Sequence, residues 1–230
     1  MIKLDRIEPD DDPLLVWAAQ DMQPGVRAWA HKSAAAVATP DVANRNRVAV
    51  RGSAADIDEL LLQIRPEVAG FFPIGEEALI AELTSVQIVA GFGWMDTTSQ
   101  TNRKPEKMEE LQDDEVDAFL DENHPHSFAR PGWPGVNRWA GLRDDDERLV
   151  AVATDAWTTT HTGFISGVAT RRDARGQGLA TRLCAALTDE LLEGRDRVAL
   201  LVDHDNVAAL RTYERLGYTL RRVAAATFGG

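Results

Sequence analysis

Four arginines and two glycines mark where this chain could do chemistry. Arg171, Arg172, Arg175 and Arg182 surround Gly176 and Gly178, with Asp173 the one acid among them, in a chain whose formal net charge is -12. This local positive charge runs against the whole and points to an anion site. The first backbone N–H groups of a helix have no partner within it, and the aligned peptide dipoles leave partial positive charge at that end. Glycine has no Cβ to hold a ligand away, so a diphosphate can lie against those N–H groups. Further on, Tyr213 shares a helical face with Ala209 and Leu216, the inward face. Its hydroxyl needs a partner or a ligand there.

The elements that must position these groups follow from periodicity. Phe164 to Thr170 reads as a strand entering the glycine turn, and the leucines at Leu179, Leu183, Leu187 and Leu191 recur every fourth residue of a helix stopped by Gly194. Val198 to Val202 is an unbroken apolar strand of the kind buried on both faces. Asn206 caps a helix over Val207 to Leu216, Gly217 ends it, and Tyr218 to Val223 and Ala224 to Phe228 read as closing strands. Upstream, Trp139 to Arg143 and Leu149 to Ala156 form a hairpin turned by Asp144 to Glu147. Asn123 to Gly135, with three prolines and two glycines, is irregular, and Asp114 to Leu120 is an acidic helix with Val116, Phe119 and Leu120 inward. Before them, Asp96 to Lys104 is polar and without apolar period, a linker.

The first hundred residues alternate helix and strand. Pro13 to Gln20 is helix-like, Ala34 to Ala38 is a small alanine-rich piece, and Val48 to Gly52 is a strand. Ser53 caps a helix over Ala54 to Ile64, with Ile57, Leu60, Leu61 and Ile64 on one face. Pro73 and Gly75 mark a turn, Glu76 to Leu83 a second helix, and Val86 to Met95 a strand.

Arg175-Gly-Gln-Gly178-Leu-Ala180 resembles the R/Q-x-x-G-x-G/A signature of the GNAT superfamily of acetyl-CoA-dependent N-acyltransferases, with alanine in the last small position. Asn206, Tyr213 seven residues on, and Leu216-Gly217-Tyr218 resemble the second half of that family's pattern. The resemblance implies an α/β fold, a GNAT-type mixed central sheet flanked by helices, over residues 105–230, with an additional N-terminal α/β lobe over 1–104. That lobe lacks the glycine turn and would be a degenerate half, as in two-lobed, glycine N-acyltransferase-like relatives.

The resemblance also implies roles. The backbone of Val168, Ala169 and Thr170 would pair with the pantetheine arm of acetyl-CoA, and Arg175, Gly176, Gln177, Gly178, Leu179, Ala180 and Thr181 would hold its diphosphate, with Asn206 also at the cofactor. A main-chain N–H near Val168 would meet the developing oxyanion, and Tyr213 would protonate the departing thiolate. Positions where relatives keep a glutamate as general base hold Phe164 and Leu201, which take no proton. Asp203, His204, His161, Asp155, the loop histidines His124 and His126, and a base acting through water all stay open. The implied partners are acetyl-CoA and an amine acceptor, a small molecule, amino acid or peptide, and a homodimer is compatible. A catalytically silent acyl-CoA-binding or interaction module is the alternative. A dinucleotide fingerprint fails at Thr181, where the third glycine would stand.

Composition narrows the rest. A pI near 4.8 argues against nucleic acid and is compatible with a cationic acceptor. No run reaches the roughly 20 apolar residues of a membrane helix, and the acidic N-terminus does not read as a signal peptide, so no membrane partner and a cytoplasmic location are expected. Cys184 is the sole cysteine and reads as a buried structural thiol. His124 and His126 form an H-x-H pair without a third ligand, so no metal is expected. Phe128 and Trp133 in the same loop would wall the acceptor cleft.

Overall fold

In the computed structural model, which describes residues 1–229, local signals place most elements. After β1 (Ile2–Leu4), Asp12 accepts from the N–H groups of Leu14 and Leu15 and starts α1 (Pro13–Ala18) with proline in its first turn. Then come β2 (Arg27–His31), β3 (Ala34–Val42) and β4 (Arg45–Arg51). Ser53 Oγ caps α2 (Ala54–Ile64) through the N–H of Asp56, as the sequence predicts. β5 (Phe72–Glu76), α3 (Glu77–Glu82), β6 (Val86–Thr97) and β7 (Glu109–Glu110) follow. The second half runs α4 (Asp113–Asn123), β8 (Val136–Arg143), β9 (Leu149–Ala156), β10 (Thr162–Thr170), α5 (Leu179–Leu191), β11 (Arg197–Asp203), α6 (Val207–Arg215) and β12 (Thr219–Phe228).

The chain divides into two compact units. One holds Met1–Trp94, Val202–Asp205 and the chain from Leu220 on; the other holds Met95–Leu201 and Asn206–Thr219. The last strand counts with the first unit.

In the first unit β1, β2, β3 and β4 pair antiparallel in that order, β4 pairs β5 in parallel, and β12 adds antiparallel to β5 through Val223↔Glu76, Ala224↔Gly75 and Ala225↔Ile74. Ile57, Leu60, Leu61 and Ile64 of α2 are fully buried against Trp29, Val48, Val50 and the alanines of β3. The Asp58 carboxylate fixes the far side of α2 by accepting from the N–H and hydroxyl groups of both Thr84 and Ser85 at 2.6–3.0 Å.

Three expectations change here. The alanine-rich piece is the buried strand β3, which shows that position between two partners overrides alanine's weak strand preference. Pro73 and Gly75 lie in β5 rather than a turn. Pro73 sits beside Val48 near the strand's start, and a Cβ on Gly75 would press on Val50 O at 3.1 Å and Ile80 Cδ1 at 3.3 Å, so close packing explains the glycine. The two closing strands are one continuous strand, β12.

In the second unit β7, β8, β9 and β10 pair antiparallel in sequence, and β11 joins β10 in parallel. The polar segment after β6 is tied down. Thr101 donates from N and Oγ1 to the Asp189 carboxylate at 2.6 and 2.8 Å, and Glu106 accepts twice from Arg182 at 2.8 Å. No helix is long and apolar enough to cross a membrane among the described residues.

Candidate active site

Of the residues singled out from sequence, Val168–Thr170 lie at the C-terminal end of β10 and Arg175–Thr181 at the start of α5, while Asn206 and Tyr213 lie at the cap and on the face of α6, all in the second unit. The β10–β11 ladder covers Thr162↔Arg197, Gly163↔Val198 and Phe164↔Ala199, and β10 then runs on to Thr170. On its other side the register against β9 slips from Ser166↔Thr154 to Ala169↔Val152, so Gly167 and Val168 together face Ala153 alone, one residue more than the ladder takes. Around Val168 the ladder with β9 is thus interrupted, and the ladder with β11 has already ended at Phe164.

Beyond β10, a single 3-10 turn over Arg172–Ala174 leads to Gly176 and Gly178, both at φ +77°, a left-handed conformation that glycine takes without strain. A Cβ on either would meet nothing within 4 Å. Gly178 is the N-cap of α5 and offers no side chain, so no cap bond covers the opening N–H groups of Leu179, Ala180 and Thr181. An open, uncapped helix mouth over two glycines is the shape a phosphate group needs.

The arginines are less free than their number suggests. Arg171 is paired with Asp144 and Asp173, which hold its pKa up, and Arg182 with Glu106. Arg175 donates from Nε to Thr170 O at 3.3 Å and from Nη2 to Asn123 O at 3.0 Å, so its guanidinium braces the turn. The exposed Arg172 guanidinium has no acceptor among the described residues. Asn123 went unnoticed in the sequence. It is 4% exposed at the end of α4, donates to Phe119 O at 2.9 Å, and its Oδ1 accepts the Arg172 N–H at 3.1 Å. An asparagine closing an amphipathic helix just ahead of a proline loop was the available signal.

Tyr213 faces inward as its spacing predicts, 7% exposed. Its ring centroid lies 5.6 Å from that of Tyr218, and its hydroxyl neighbours the Cys184 thiol. Thr188 Oγ1 donates to Cys184 O at 2.6 Å and so accepts the Tyr218 O–H at 2.7 Å. Burial first, then neighbouring Cys184 and Tyr218, pushes the Tyr213 pKa well above the ordinary tyrosine value, while burial lifts the Cys184 thiol to about 12. At neutral pH Tyr213 therefore presents a phenol that keeps its proton. Thr188 and Tyr218, which complete this cluster, were not marked from sequence. Asn206 caps α6 through Oδ1, which accepts from the Ala209 N–H at 3.1 Å.

The candidate bases separate. Phe164 is 1% exposed and apolar. Asp155 is engaged by Asn137 Nδ2 at 3.2 Å and Thr158 Oγ1 at 2.5 Å, and His161 Nδ1 by Asp196 at 2.7 Å. Asp203 and His204 belong to the first unit. His124 stands near the turn, its pKa lowered by burial and then by the charge of Arg175, so it is a neutral imidazole at neutral pH. The loop carrying it is held by Trp157, whose backbone N–H donates to Gly135 O at 2.6 Å and whose Nε1 donates to Pro134 O at 3.1 Å. Phe128 and Trp133 on that loop are exposed. Among the described residues no three His, Cys, Asp or Glu side chains gather as a metal set.

Comparison with known proteins follows the same outline. The family model described as "Acetyltransferase (GNAT) family" matches residues 101–218, just over half of the chain. N-alpha-acetyltransferase 30 from Schizosaccharomyces pombe is 41% identical over 61 residues, a match that spans 26% of this chain and only 41% of that protein's length. Among solved structures, an acetyltransferase of the GNAT family from Novosphingobium aromaticivorans is similar at a TM-score of 0.59 and 19% identity, covering 97% of this chain and 100% of that one. A GCN5-related N-acetyltransferase from Kribbella flavida reaches a TM-score of 0.63 at 18% identity over 93% of this chain and 94% of its own. At such identities the two structures bear on the fold.

Proposed function

Because the chain belongs to the acetyltransferase (GNAT) family, we propose that it transfers an acetyl group from acetyl-CoA directly to a primary amine of a small molecule, an amino acid or a peptide. The observation that carries this reading is the open mouth of α5, where Gly176 and Gly178 leave space and no side chain caps the helix. Acetyl-CoA supplies the acyl group as a thioester, so that a C–N bond forms, the C–S bond breaks, and the amine's proton is lost as the thiolate gains one.

The chain's own groups divide that work. The backbone from Gly176 to Thr181 holds the diphosphate, with Gln177 exposed beside it and Arg175 keeping the turn in shape from behind. The edge of β10 beyond its ladder with β11 takes the pantetheine arm at Val168, Ala169 and Thr170 as a strand would. Asn206, whose amide NH2 has no partner among the described residues, donates to the same arm. Tyr213 gives the departing thiolate its proton. A main-chain N–H near Val168 meets the oxyanion. By its motifs the transferase domain is assigned to residues 105–230, with β12 lent to the first unit's sheet, and 1–104 is a lobe without a cofactor turn.

The test is release of free thiol from acetyl-CoA across a panel of amines. Because the Schizosaccharomyces pombe relative is named an N-alpha-acetyltransferase, the panel includes peptides with free α-amines. The reading expects at least one acceptor to accelerate release and Tyr213→Phe to slow it about 10²-fold. Phe164 and Leu201, at positions where a proton acceptor would stand, favour a second reading, a silent acyl-CoA-binding module. Saturable CoA binding with no release across the panel would decide for it.

A further inference from the structure

Gly167 sits inside β10 at φ +59°, where the register against β9 slips by one. From Ser166↔Thr154 to Ala169↔Val152, β10 advances three residues while β9 advances two, which makes a bulge. Packed on the bulge is Trp139 of β8, 1% exposed and paired with Thr154. A Cβ on residue 167 would lie 2.4 Å from Trp139 Cη2, 2.9 Å from Cζ3 and 3.3 Å from Thr154 Cγ2. The indole occupies the volume where any side chain at that position would go. Its Nε1 is buried and has no hydrogen-bond partner among the described residues, so nothing polar holds the ring there. A buried N–H without a partner costs stability, and the ring's volume must outweigh that cost.

We infer that Trp139 is a positioning residue for acyl transfer: its ring wedges against Gly167, keeps β10 bulged, and so holds the Val168 main chain where it can meet the thioester oxygen. The inference rests on the acyltransferase reading above. Two consequences distinguish a wedge from ordinary core filling. The ring's volume matters and its N–H does not. The effect falls on recognition of the acyl oxygen, while the diphosphate turn is untouched.

The experiment compares Trp139→Phe, Trp139→Ala and Gly167→Ala. Calorimetry gives the ratio of affinities for acetyl-CoA and CoA, a ratio that does not depend on the fraction of protein that is active. Trp139→Phe, whose smaller ring lacks the Cη2 and Cζ3 atoms nearest Gly167, is expected to fall between the wild type and Trp139→Ala in both the ratio and kcat. Trp139→Ala and Gly167→Ala are expected to lose acetyl-CoA's advantage over CoA and to drop kcat by roughly 10- to 10²-fold, with CoA affinity held. If Trp139→Ala does not fold, Gly167→Ala attacks the same contact from the other side.

A preserved ratio and kcat in the alanine variants overturns the inference. So does a phenylalanine variant more impaired than the alanine one, because ring volume would then not set the effect. Should the wild-type chain bind neither ligand, the acyltransferase reading falls, and amide exchange decides the wedge separately. The Val168 exchange rate should then change about 10-fold in Trp139→Ala, with Gly163 and Phe164 unchanged, and an unchanged Val168 rate rejects the wedge.

Discussion

Replacing Gly178 separates the needs of the fold from those of the ligand. The residue is at φ +77° and ψ 10°, and a Cβ there meets nothing within 4 Å, so alanine adds no clash and costs only its left-handed backbone. That is roughly 1–2 kcal/mol, and at about 2–4 °C of Tm per kcal/mol for a chain of this size the loss should be roughly 2–8 °C. The methyl group, however, projects into the space from which a phosphate would approach. Losing one N–H bond to a charged oxygen costs about 1.5–3 kcal/mol, or roughly 10- to 150-fold in Kd. Gly178→Glu adds like-charge repulsion and should abolish measurable binding. Gly194, just beyond the far end of α5, is the internal control: its φ is +80° and its Cβ position is equally empty. Gly194→Ala should lose similar stability and no affinity. Calorimetric titration with CoA beside thermal melts reads both quantities. If Gly178→Ala melts like Gly194→Ala and binds CoA as the wild type does, the mouth of α5 is not the diphosphate site.

Other expectations address the buried groups. Because the Tyr213 pKa is raised, no loss of rate belonging to its phenol should occur up to pH about 10; a descending limb below that pH, present in the wild type and absent in Tyr213→Phe, would contradict this. Cys184 is lifted from 9.0 to about 12, so its folded-state proton stabilises fully below pH 9.0, and that contribution is lost as pH rises towards about 12. In denaturant titrations Cys184→Ala should delay the onset of alkaline destabilisation, and an identical pH profile would refute the assignment. Asn123→Ala removes the acceptor of the Arg172 N–H and should cost about 1–3 kcal/mol and weaken CoA binding, whereas Asn123→Asp keeps the acceptor and should keep the turn; equal affinities in wild type and Asn123→Ala count against the brace. Asp58→Ala abandons four donors on Thr84 and Ser85 and should lower stability in urea by about 1–2 kcal/mol, with CoA affinity as the readout expected not to move.

What could be read from sequence was what local rules decide. Ser53, Asn206 and Gly194 mark helix ends by chemistry that acts within a turn, and α2, α5 and α6 lie close to where those residues put them. The glycine turn was legible for the same reason. β2 and β3 were not, because Ala34–Ala38 becomes a strand only when flanked by partners on both sides. Pro73 and Gly75 carried turn chemistry that packing against Val50 and Ile80 overrode. Within the site, the arginine count overstated free positive charge, since the partners of Arg171, Arg175 and Arg182 come from Asp144, Asn123 and Glu106, distant in sequence. Gly167 was the missed clue: a glycine inside a strand signals a bulge or a close neighbour, and here it signals both.

The pairing of β5 with β12 bears on how the protein is made. Glu76 leaves the ribosome 147 residues before its partner Val223. At about 5–20 residues per second the nascent chain carries the outer edge of β5 unsatisfied for roughly 7–30 s. During that interval β5 is a template for any stray strand, and a chaperone or a slow bimolecular encounter has time to find it. Truncation or premature termination ahead of residue 219 would leave the edge bare permanently, so shortened products should precipitate rather than accumulate as soluble fragments.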